Sequence, residues 1–196
     1  TLFNGEGGEY TATILRMGRS DVAVRIGDKA DTSRELGLRV NLWCGITANE
    51  RMDWLVEKAT ELGACSLLPI SAERSVLKLK GERSDKKLAH WQAIAVAASE
   101  QCGRNQVMAV MPPLNLTQAL AATPPGQPTP IRWILSLAPG TTTLRDAFEE
   151  ASNKAQSLPL DVIVLSGPEG GLSPSEEAQA LAAGFVPVSL GSRVLR

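Results

Sequence analysis

The chain has 196 residues, of which 43% are hydrophobic and 21% are charged, and its formal net charge is -1. This composition is typical of a globular protein, and the small net charge excludes a global electrostatic field that draws the protein to nucleic acid or membrane. No apolar run approaches the length of a bilayer span, and the first residues lack the pattern of a signal peptide.

The cysteine and histidine content limits the chemistry further. Cys44, Cys65 and Cys102 are widely spaced and mostly in apolar context, which predicts buried, reduced thiols and a cytoplasmic protein. His90 is the only histidine, so a catalytic triad or a multi-histidine metal site has almost nothing to build on. We therefore expect neither a metal nor a membrane partner.

The order of predicted elements indicates two parts. Residues 1–45 are β-rich, with strands predicted over 11–15 and 22–26, and form a first, small β domain. Residues 46–196 form an α/β domain, in which helices alternate with short apolar strands. That alternation predicts a largely parallel sheet covered on both faces. The predicted strands are 40–46, 65–70, 107–110, 131–137, 162–165 and 186–190, and the predicted helices are 49–62, 84–102, 117–122, 141–156 and 174–183.

Sequence signals also predict where several of these elements begin and end. Asn49 and Ser84 are candidate helix caps, and Gly103 is a candidate helix terminator. Ser173 and Glu176 match a capping box at the start of the last helix. The proline-rich stretch 123–130 predicts an irregular surface connection between the third helix and the next strand.

Two glycine-rich loops follow predicted strands in the last part of the chain. Gly167, Gly170 and Gly171 lie between the strand 161–165 and the capped helix. Ligands of open α/β sheets lie just outside the carboxyl ends of the strands, and glycine lets the backbone approach a ligand closely. Residues 190–196 form the second loop, so the two loops predict two walls of one pocket that suits a purine ring. The alternative is a pair of ordinary turns.

A local basic stretch is the other candidate binding feature. Residues 73–87 carry six cations and three anions, a net charge of +3. This stretch is either a phosphate-contacting patch or a solvated loop. Two further polar clusters lie near predicted helix ends, namely the Lys58–Glu61 pair and residues 100–104, and each is either a site or a solvated helix face.

Six motifs occur together in a familiar order. They are ERMDW at 50–54, KATELG at 58–63, SAERS at 71–75, SEQCGR at 99–104, GPEGG at 167–171 and LGSRVLR at 190–196. In this order they resemble the RsmE family, the ribosomal RNA small subunit methyltransferase E proteins of the SPOUT superfamily. The resemblance covers residues 40–196, and the early β segment resembles part of the family's PUA-like N-terminal domain.

The resemblance implies S-adenosylmethionine-dependent methylation of N3 of a uridine in 16S ribosomal RNA, a trefoil knot in the α/β domain, and a homodimer. The chain departs from the family pattern at both ends, so we expect it to lack the first PUA-like strands and the C-terminal knot helix. The residues that fall on cofactor motifs are Leu165, Gly167, Glu169, Gly170, Gly171, Leu190, Gly191, Val194 and Leu195. Those that fall on RNA-side motifs are Lys58, Glu61, Arg74, Gln101 and Arg104.

The expected chemistry is an in-line methyl transfer that needs orientation and no metal. Uracil N3 loses a proton, and we expect Arg74, Arg104 or Arg196 to stabilise the resulting negative charge. Glu169 or Glu61 is the candidate proton acceptor, on condition that burial raises its pKa. Two alternatives remain open: a non-catalytic RNA-binding module that uses the β domain and residues 74–87, and an enzyme that binds nucleotide phosphate at residues 167–171. The absence of a P-loop lysine disfavours the second.

Overall fold

The computed structural model describes residues 1–122, 130–138, 140–154 and 160–191. Within those ranges the chain forms nine strands and five helices. The strands are β1 (Glu9–Met17), β2 (Val22–Ala30), β3 (Leu38–Gly45), β4 (Ser66–Ile70), β5 (Ala109–Val110), β6 (Ile131–Leu135), β7 (Thr142–Thr143), β8 (Leu160–Ser166) and β9 (Val186–Ser189). The helices are α1 (Asn49–Glu61), α2 (Glu82–Cys102), α3 (Leu116–Ala122), α4 (Leu144–Lys154) and α5 (Pro174–Ala182).

These strands form two sheets. β1 and β2 pair as an antiparallel hairpin, and the other seven form a parallel sheet in the order β5-β4-β3-β8-β6-β9-β7. The predicted parallel sheet of an α/β fold is therefore confirmed. Consecutive parallel strands need a crossover connection, so each helix runs back along the sheet from its carboxyl edge to its amino edge.

Helices cover both faces of the parallel sheet. On one face, α1 and α2 bury Met52, Val56 and Trp91 against Leu67, all at 0% exposure. α4 covers the other end of that face through Ala147. The opposite face packs against α3 and α5, and there Trp43 and Phe185 place their ring centroids 5.7 Å apart. The core therefore continues across the full width of the sheet.

Three of the predicted helix boundaries are informative. The capping box of α5 is confirmed, because the Ser173 hydroxyl accepts from the Glu176 amide and the Glu176 carboxylate accepts from the Ser173 amide. Gly103 ends α2 in the left-handed region, with φ 78. Ser84 is wrong as a cap, because α2 already begins after Gly81 and its first turn carries acidic residues that suit a helix N-terminus.

Some short elements depart from the sequence prediction. Asn49 is the first residue of α1 and does not cap it, since the N-cap is Ala48 and no side-chain bond is made there. The predicted helix 141–156 begins only at Leu144, because Thr142 and Thr143 pair with β9 as β7. A two-residue strand is too short to show a period in the sequence. The proline-rich connection falls largely on residues 123–129, which lie outside the described residues.

The expected domain boundary at residue 45 falls at the carboxyl end of β3. β3 pairs with β4 and β8 in the parallel sheet, so residues 38–45 pack with the second unit. The segment 103–107 after α2 then joins the hairpin region to the amino edge of this sheet. Val107 donates its amide to the Gly5 carbonyl (3.0 Å), and the Asn105 side chain donates to the Thr32 carbonyl (2.6 Å). The hairpin region is thereby anchored at the amino edge.

The three cysteines differ in their burial. Cys44 is buried, and burial raises the pKa of its thiol. Cys65 is partly buried and Cys102 is exposed, so the prediction of three buried thiols is wrong for Cys102.

Among the helices in the described part of the chain, none combines the length and apolar character needed to cross a membrane.

Candidate active site at the carboxyl edge of the parallel sheet

The two glycine-rich loops leave the parallel sheet at the same edge. The first, residues 167–171, follows β8, and we call it the glycine loop. The second follows β9, and the structure describes it as far as Gly191. β6 lies between β8 and β9, which places the starts of the two loops about 10 Å apart at the usual strand spacing. Val194, Leu195 and Arg196, three of the expected site residues, lie outside the described residues.

The glycines around this edge are required for different reasons. A Cβ on Gly167 would lie 2.6 Å from the Leu172 amide nitrogen, so this glycine permits the tight fold of the loop itself. A Cβ on Gly170 would lie 3.2 Å from the Cβ of Arg74. Gly171 has φ +69 and would meet nothing within 4 Å. Of the three glycines expected to approach a ligand, Gly171 alone faces open space.

Gly45 is a close contact that sequence reasoning missed. It ends β3, and a Cβ there would lie 2.2 Å from the Pro168 amide nitrogen. The end of β3 therefore supports the glycine loop from below, backbone against backbone. A glycine at the carboxyl end of a predicted central strand was the available signal.

Adding a methyl group at this contact gives a direct test. We expect Gly45→Ala to destabilise the chain by about 2 kcal/mol or more, because neither backbone can move aside easily. Gly37→Ala is the matched control, since its Cβ would meet nothing within 4 Å. Urea unfolding of both variants measures the difference. If the two variants were equally stable, the glycine loop would have moved to accommodate the methyl group added at position 45, and the expected steric conflict would be wrong.

Arg74 is the expected arginine that the structure brings to the glycine loop. It follows β4, is exposed, and its Nη1 donates to the Gly170 carbonyl at 3.2 Å. A guanidinium carries five N–H donors, so one bond to a carbonyl leaves donors for a further acceptor. Arg74 thus combines a fixed attachment to the loop with a free cationic surface beside it.

Glu169 holds the glycine loop against the start of α1. Its Oε1 accepts from the Ala48 amide at 3.2 Å and from Arg51 Nη1 at 3.3 Å. The pKa of Glu169 is lowered, first by a hydrogen bond from its own backbone amide and then by Ala48 and Arg51, and these effects together outweigh the opposing effect of burial. The condition for Glu169 to act as proton acceptor, a pKa raised by burial, is not met, because the carboxylate lies at the surface among N–H donors. Such a carboxylate is a weak proton acceptor.

A third loop at this edge was not among the expected site residues. It follows β6, where the Ser136 hydroxyl donates to Glu177 Oε1 (3.0 Å) and accepts from the Ala138 amide (3.2 Å). The apolar side chains of Leu137 and Leu190 are 76% and 53% exposed at the ends of neighbouring strands. The carboxyl-edge rule that selected β8 and β9 would also have selected the end of β6.

The site provides main-chain groups, exposed leucines and the cationic side chains of Arg74 and Arg51, of which Arg51 pairs with Glu169. Leu165 is 0% exposed and belongs to the core, so its main-chain atoms alone are available to a ligand. This set fits an apolar, hydrogen-bonding ring such as adenine, which backbone N–H and C=O groups can hold. No cluster of three potential metal-ligating side chains occurs among the described residues.

Known proteins resemble this chain in both sequence and structure. A family model described as an RNA methyltransferase domain matches residues 34–196. The small subunit ribosomal RNA methyltransferase E of Bacillus subtilis is 29% identical over 191 residues, which cover 97% of this chain and 73% of that protein. The crystal structure of the Neisseria gonorrhoeae methyltransferase E bound to S-adenosyl methionine is 33% identical, with a TM-score of 0.84, and the match covers 98% of this chain and 75% of that one. The chain belongs to the ribosomal RNA small subunit methyltransferase E family.

A second solved structure supports the same conclusion. A putative methyltransferase of Legionella pneumophila in complex with the cofactor S-adenosylmethionine is 36% identical and has a TM-score of 0.85. The match covers 99% of this chain and 75% of that one. The fold of the methyltransferase is therefore shared across nearly the whole of the present chain.

The methyltransferase has a second group of motif residues at the opposite, amino edge of the sheet. Lys58 and Glu61 lie in the last turns of α1 and pair at 2.9 Å, as the sequence predicts. Hydrogen bonds to the Glu57 carboxylate first, and then to Glu61, raise the pKa of Lys58. Gln101 is exposed near the end of α2. Because α1 and α2 run back along the sheet, the structure does not bring these residues to the glycine loop.

Arg104 of the methyltransferase is buried at that same amino edge, with 5% exposure. Its Nη1 donates to the Thr60 and Ala64 carbonyls at 2.7 and 3.0 Å. Its Nε donates to Glu35 at 3.2 Å, and Nη2 forms an ion pair with the same carboxylate. The guanidinium of Arg104 is enclosed and already paired, and its contact with RNA stays a prediction. Arg104 connects α1, the end of α2 and the segment before β3.

An apolar groove of about 850 Å³ lies on the α4 side of the sheet. Its floor includes Val40, Val162 and Val164, and its wall includes Phe148. Leu190 and Gly191 line it where the second loop of the methyltransferase leaves β9. The groove therefore adjoins the second loop of the carboxyl-edge site, and Arg74 is not among its lining residues.

Proposed function

We propose that the chain methylates N3 of a uridine in 16S ribosomal RNA, with S-adenosylmethionine as the methyl donor. The family supports the coarser statement, S-adenosylmethionine-dependent methylation of ribosomal RNA. The finer proposal, N3 of a uridine, rests on the motif resemblance, and the attachment of Arg74 to the glycine loop, at 3.2 Å from the Gly170 carbonyl, supports it. This attachment places a cation beside main-chain groups that suit the cofactor.

The glycine loop and the second loop are the proposed cofactor site. Open space at Gly171 and Gly191 is compatible with this role, since among the described residues nothing lies within 4 Å of a Cβ built at either glycine. The full set is Leu165 through its main chain, Gly167, Glu169, Gly170, Gly171, Leu190 and Gly191, with Val194 and Leu195 outside the described residues. When bound, the cofactor supplies a methyl group on a sulfonium.

Arg74 is the proposed catalytic residue on the RNA side. Loss of the N3 proton to solvent leaves negative charge on the flanking uracil carbonyl oxygens, and a positioned guanidinium stabilises that charge. Arginine stays protonated, so it cannot accept the proton. We assign Glu169 to holding the loop, because its lowered pKa makes it a weak base. Arg196 stays a second prediction for anion stabilisation, outside the described residues.

Calorimetry and methyl transfer test this function together. We expect the chain to bind S-adenosylmethionine without RNA, and to transfer tritiated methyl groups to small-subunit RNA. A methyl group on N3 blocks base pairing, so reverse transcription should stop at the modified uridine. RNA binding without cofactor binding would instead support the non-catalytic RNA-binding module. A methyl group on another atom would overturn the N3 assignment.

The basic stretch is a proposed RNA-binding surface, and the structure refines which cations serve it. Lys78 donates to the Ala72 carbonyl at 2.8 Å and to the Glu73 carbonyl at 3.0 Å, so it braces its own loop. Lys80 and Arg83 are exposed at the start of α2. They share the carboxyl edge with Arg74, since α2 begins there.

Neutralising those two cations should lower the salt dependence of RNA binding. We expect Lys80→Gln with Arg83→Gln to reduce the slope of log affinity against log salt by about 1.4, at roughly 0.7 for each single-strand phosphate that the protein no longer neutralises. Arg39→Gln with Lys154→Gln removes equal charge from exposed positions elsewhere and should leave the slope unchanged. Filter binding at several salt concentrations gives both slopes. An equal slope in both double variants would return the stretch to a solvated loop.

The remaining proposals concern assembly and topology. We propose a homodimer, supported by the exposure of Trp54 (64%) on α1 and of Leu62 (76%) immediately after this helix, which light scattering in solution tests. A trefoil knot in the α/β domain and a PUA-like origin of the β1–β2 hairpin follow from the family resemblance. A ribosomal RNA substrate supports a cytoplasmic location.

A further inference from the structure

Glu176 uses both carboxylate oxygens at the start of α5. Its Oε2 accepts from the Ser173 amide at 2.8 Å, which completes the capping box. Its Oε1 accepts from the Glu73 amide at 2.9 Å, a residue 103 positions away in the chain. The residue is 9% exposed. Of these two bonds, the capping box requires only the one to the Ser173 amide. The bond to the Glu73 amide therefore has a separate structural consequence.

That second bond fixes the loop that carries Arg74. Glu73 immediately precedes Arg74, whose side chain donates to the Gly170 carbonyl at 3.2 Å. Lys78 braces the same loop from within through the Ala72 and Glu73 carbonyls. The backbone at Arg74 is therefore held between α5 on one side and the glycine loop on the other.

We propose that Glu176 is a positioning residue, which sets Arg74 against the glycine loop by holding the Glu73 amide. This inference rests on the proposed function of Arg74. A carboxylate is required because it offers two acceptor oxygens, one for each amide. Glutamine offers a single acceptor oxygen and serves at this position of a capping box, so Glu176→Gln keeps the bond to the Ser173 amide and loses the bond to the Glu73 amide.

Ser173→Ala is the matched control for the capping role. It removes the bond from the Glu176 amide to the Ser173 hydroxyl (3.2 Å) and keeps both amides that the carboxylate binds. Ser173→Ala therefore weakens helix capping and keeps the bond to the Glu73 amide, whereas Glu176→Gln loses that bond and keeps the bond to the Ser173 amide. Each is compared with the parent chain at a temperature where circular dichroism shows it to be folded.

Methyl-transfer kinetics test the positioning role. We expect Glu176→Gln to lower kcat about 10-fold, since small misplacements of a catalytic group are costly, with the cofactor Kd within about twofold of the parent. Ser173→Ala should keep kcat within about twofold of the parent. In an Arg74→Ala background, Glu176→Gln should cause no further loss, because both changes act through one group. Equal loss in Ser173→Ala, or additive loss in the double variant, would overturn the proposal.

Amide hydrogen exchange tests the same bond without relying on activity. We expect Glu176→Gln to speed exchange at the Glu73 amide, and Ser173→Ala to leave it unchanged. If the parent chain transferred no methyl group, the proposed function would fail while this measurement still decided whether Glu176 holds the loop. Unchanged exchange at Glu73 in Glu176→Gln would overturn the positioning role itself.

Discussion

Replacing Arg74 with alanine is expected to lower kcat for methyl transfer about 100-fold, the usual effect of losing one charge-stabilising donor. The thermal stability should hardly change, because Arg74 is exposed and makes a single 3.2 Å bond to the glycine loop. Arg74→Lys keeps the charge but loses the planar fork, so we expect partial activity. Initial rates at saturating cofactor, together with a melting curve, measure both effects.

Arg39→Ala provides the control for this loss of activity. Arg39 is exposed near the beginning of β3, at the amino edge, so its removal changes net charge without touching the carboxyl edge. Its kcat should equal that of the parent chain. If Arg74→Ala retained full kcat, the assignment of uracil-anion stabilisation to Arg74 would be wrong, and Arg196 would be the next residue to replace.

Replacing Arg104 with alanine is expected to destabilise the fold by about 3–5 kcal/mol, the cost of leaving a buried ionic partner alone. The change removes the hydrogen bonds that Arg104 donates to the Glu35 carboxylate and to the Thr60 and Ala64 carbonyls. Arg104 is only 5% exposed, so water cannot easily replace these bonds. Urea unfolding gives the free-energy difference. The Asn105 contact with Thr32 lies beside it, so the hairpin region should loosen with the same transition.

Arg83→Ala is the control for this stability measurement, since Arg83 is an exposed residue in the first turn of α2 and should shift the unfolding free energy by no more than about 0.5 kcal/mol. Full stability of Arg104→Ala combined with lost methyl transfer would support the RNA-side role that sequence motifs assign to it. The two arginines thus separate cleanly by experiment.

Their separation has a simple geometric origin. Arg74 follows a strand, and Arg104 follows a helix that runs back from the same edge. In a parallel sheet these two positions lie at opposite edges. The motifs predict the same RNA-side role for both arginines. The direction of the preceding strand or helix decides which of them lies beside the proposed cofactor site.

The sequence by itself determined the parallel α/β sheet and the position of the glycine loop. Both follow from local signals: alternation of apolar strands with helices, and the capping box of Ser173 and Glu176 immediately after a strand. The carboxyl-edge rule then selected the loop without knowledge of its neighbours. These features depend on residues a few positions apart, which is the range that periodicity and capping patterns report.

The tertiary structure alone decided which groups surround that loop. Gly45 against Pro168, Glu176 with Glu73, and Arg104 with Glu35 all join residues far apart in the chain. The lowered pKa of Glu169 depends in part on the same kind of distant contact, through Ala48 and Arg51. Such contacts arise when helices return along the sheet and strands reorder, and no local pattern in the sequence encodes the resulting neighbours.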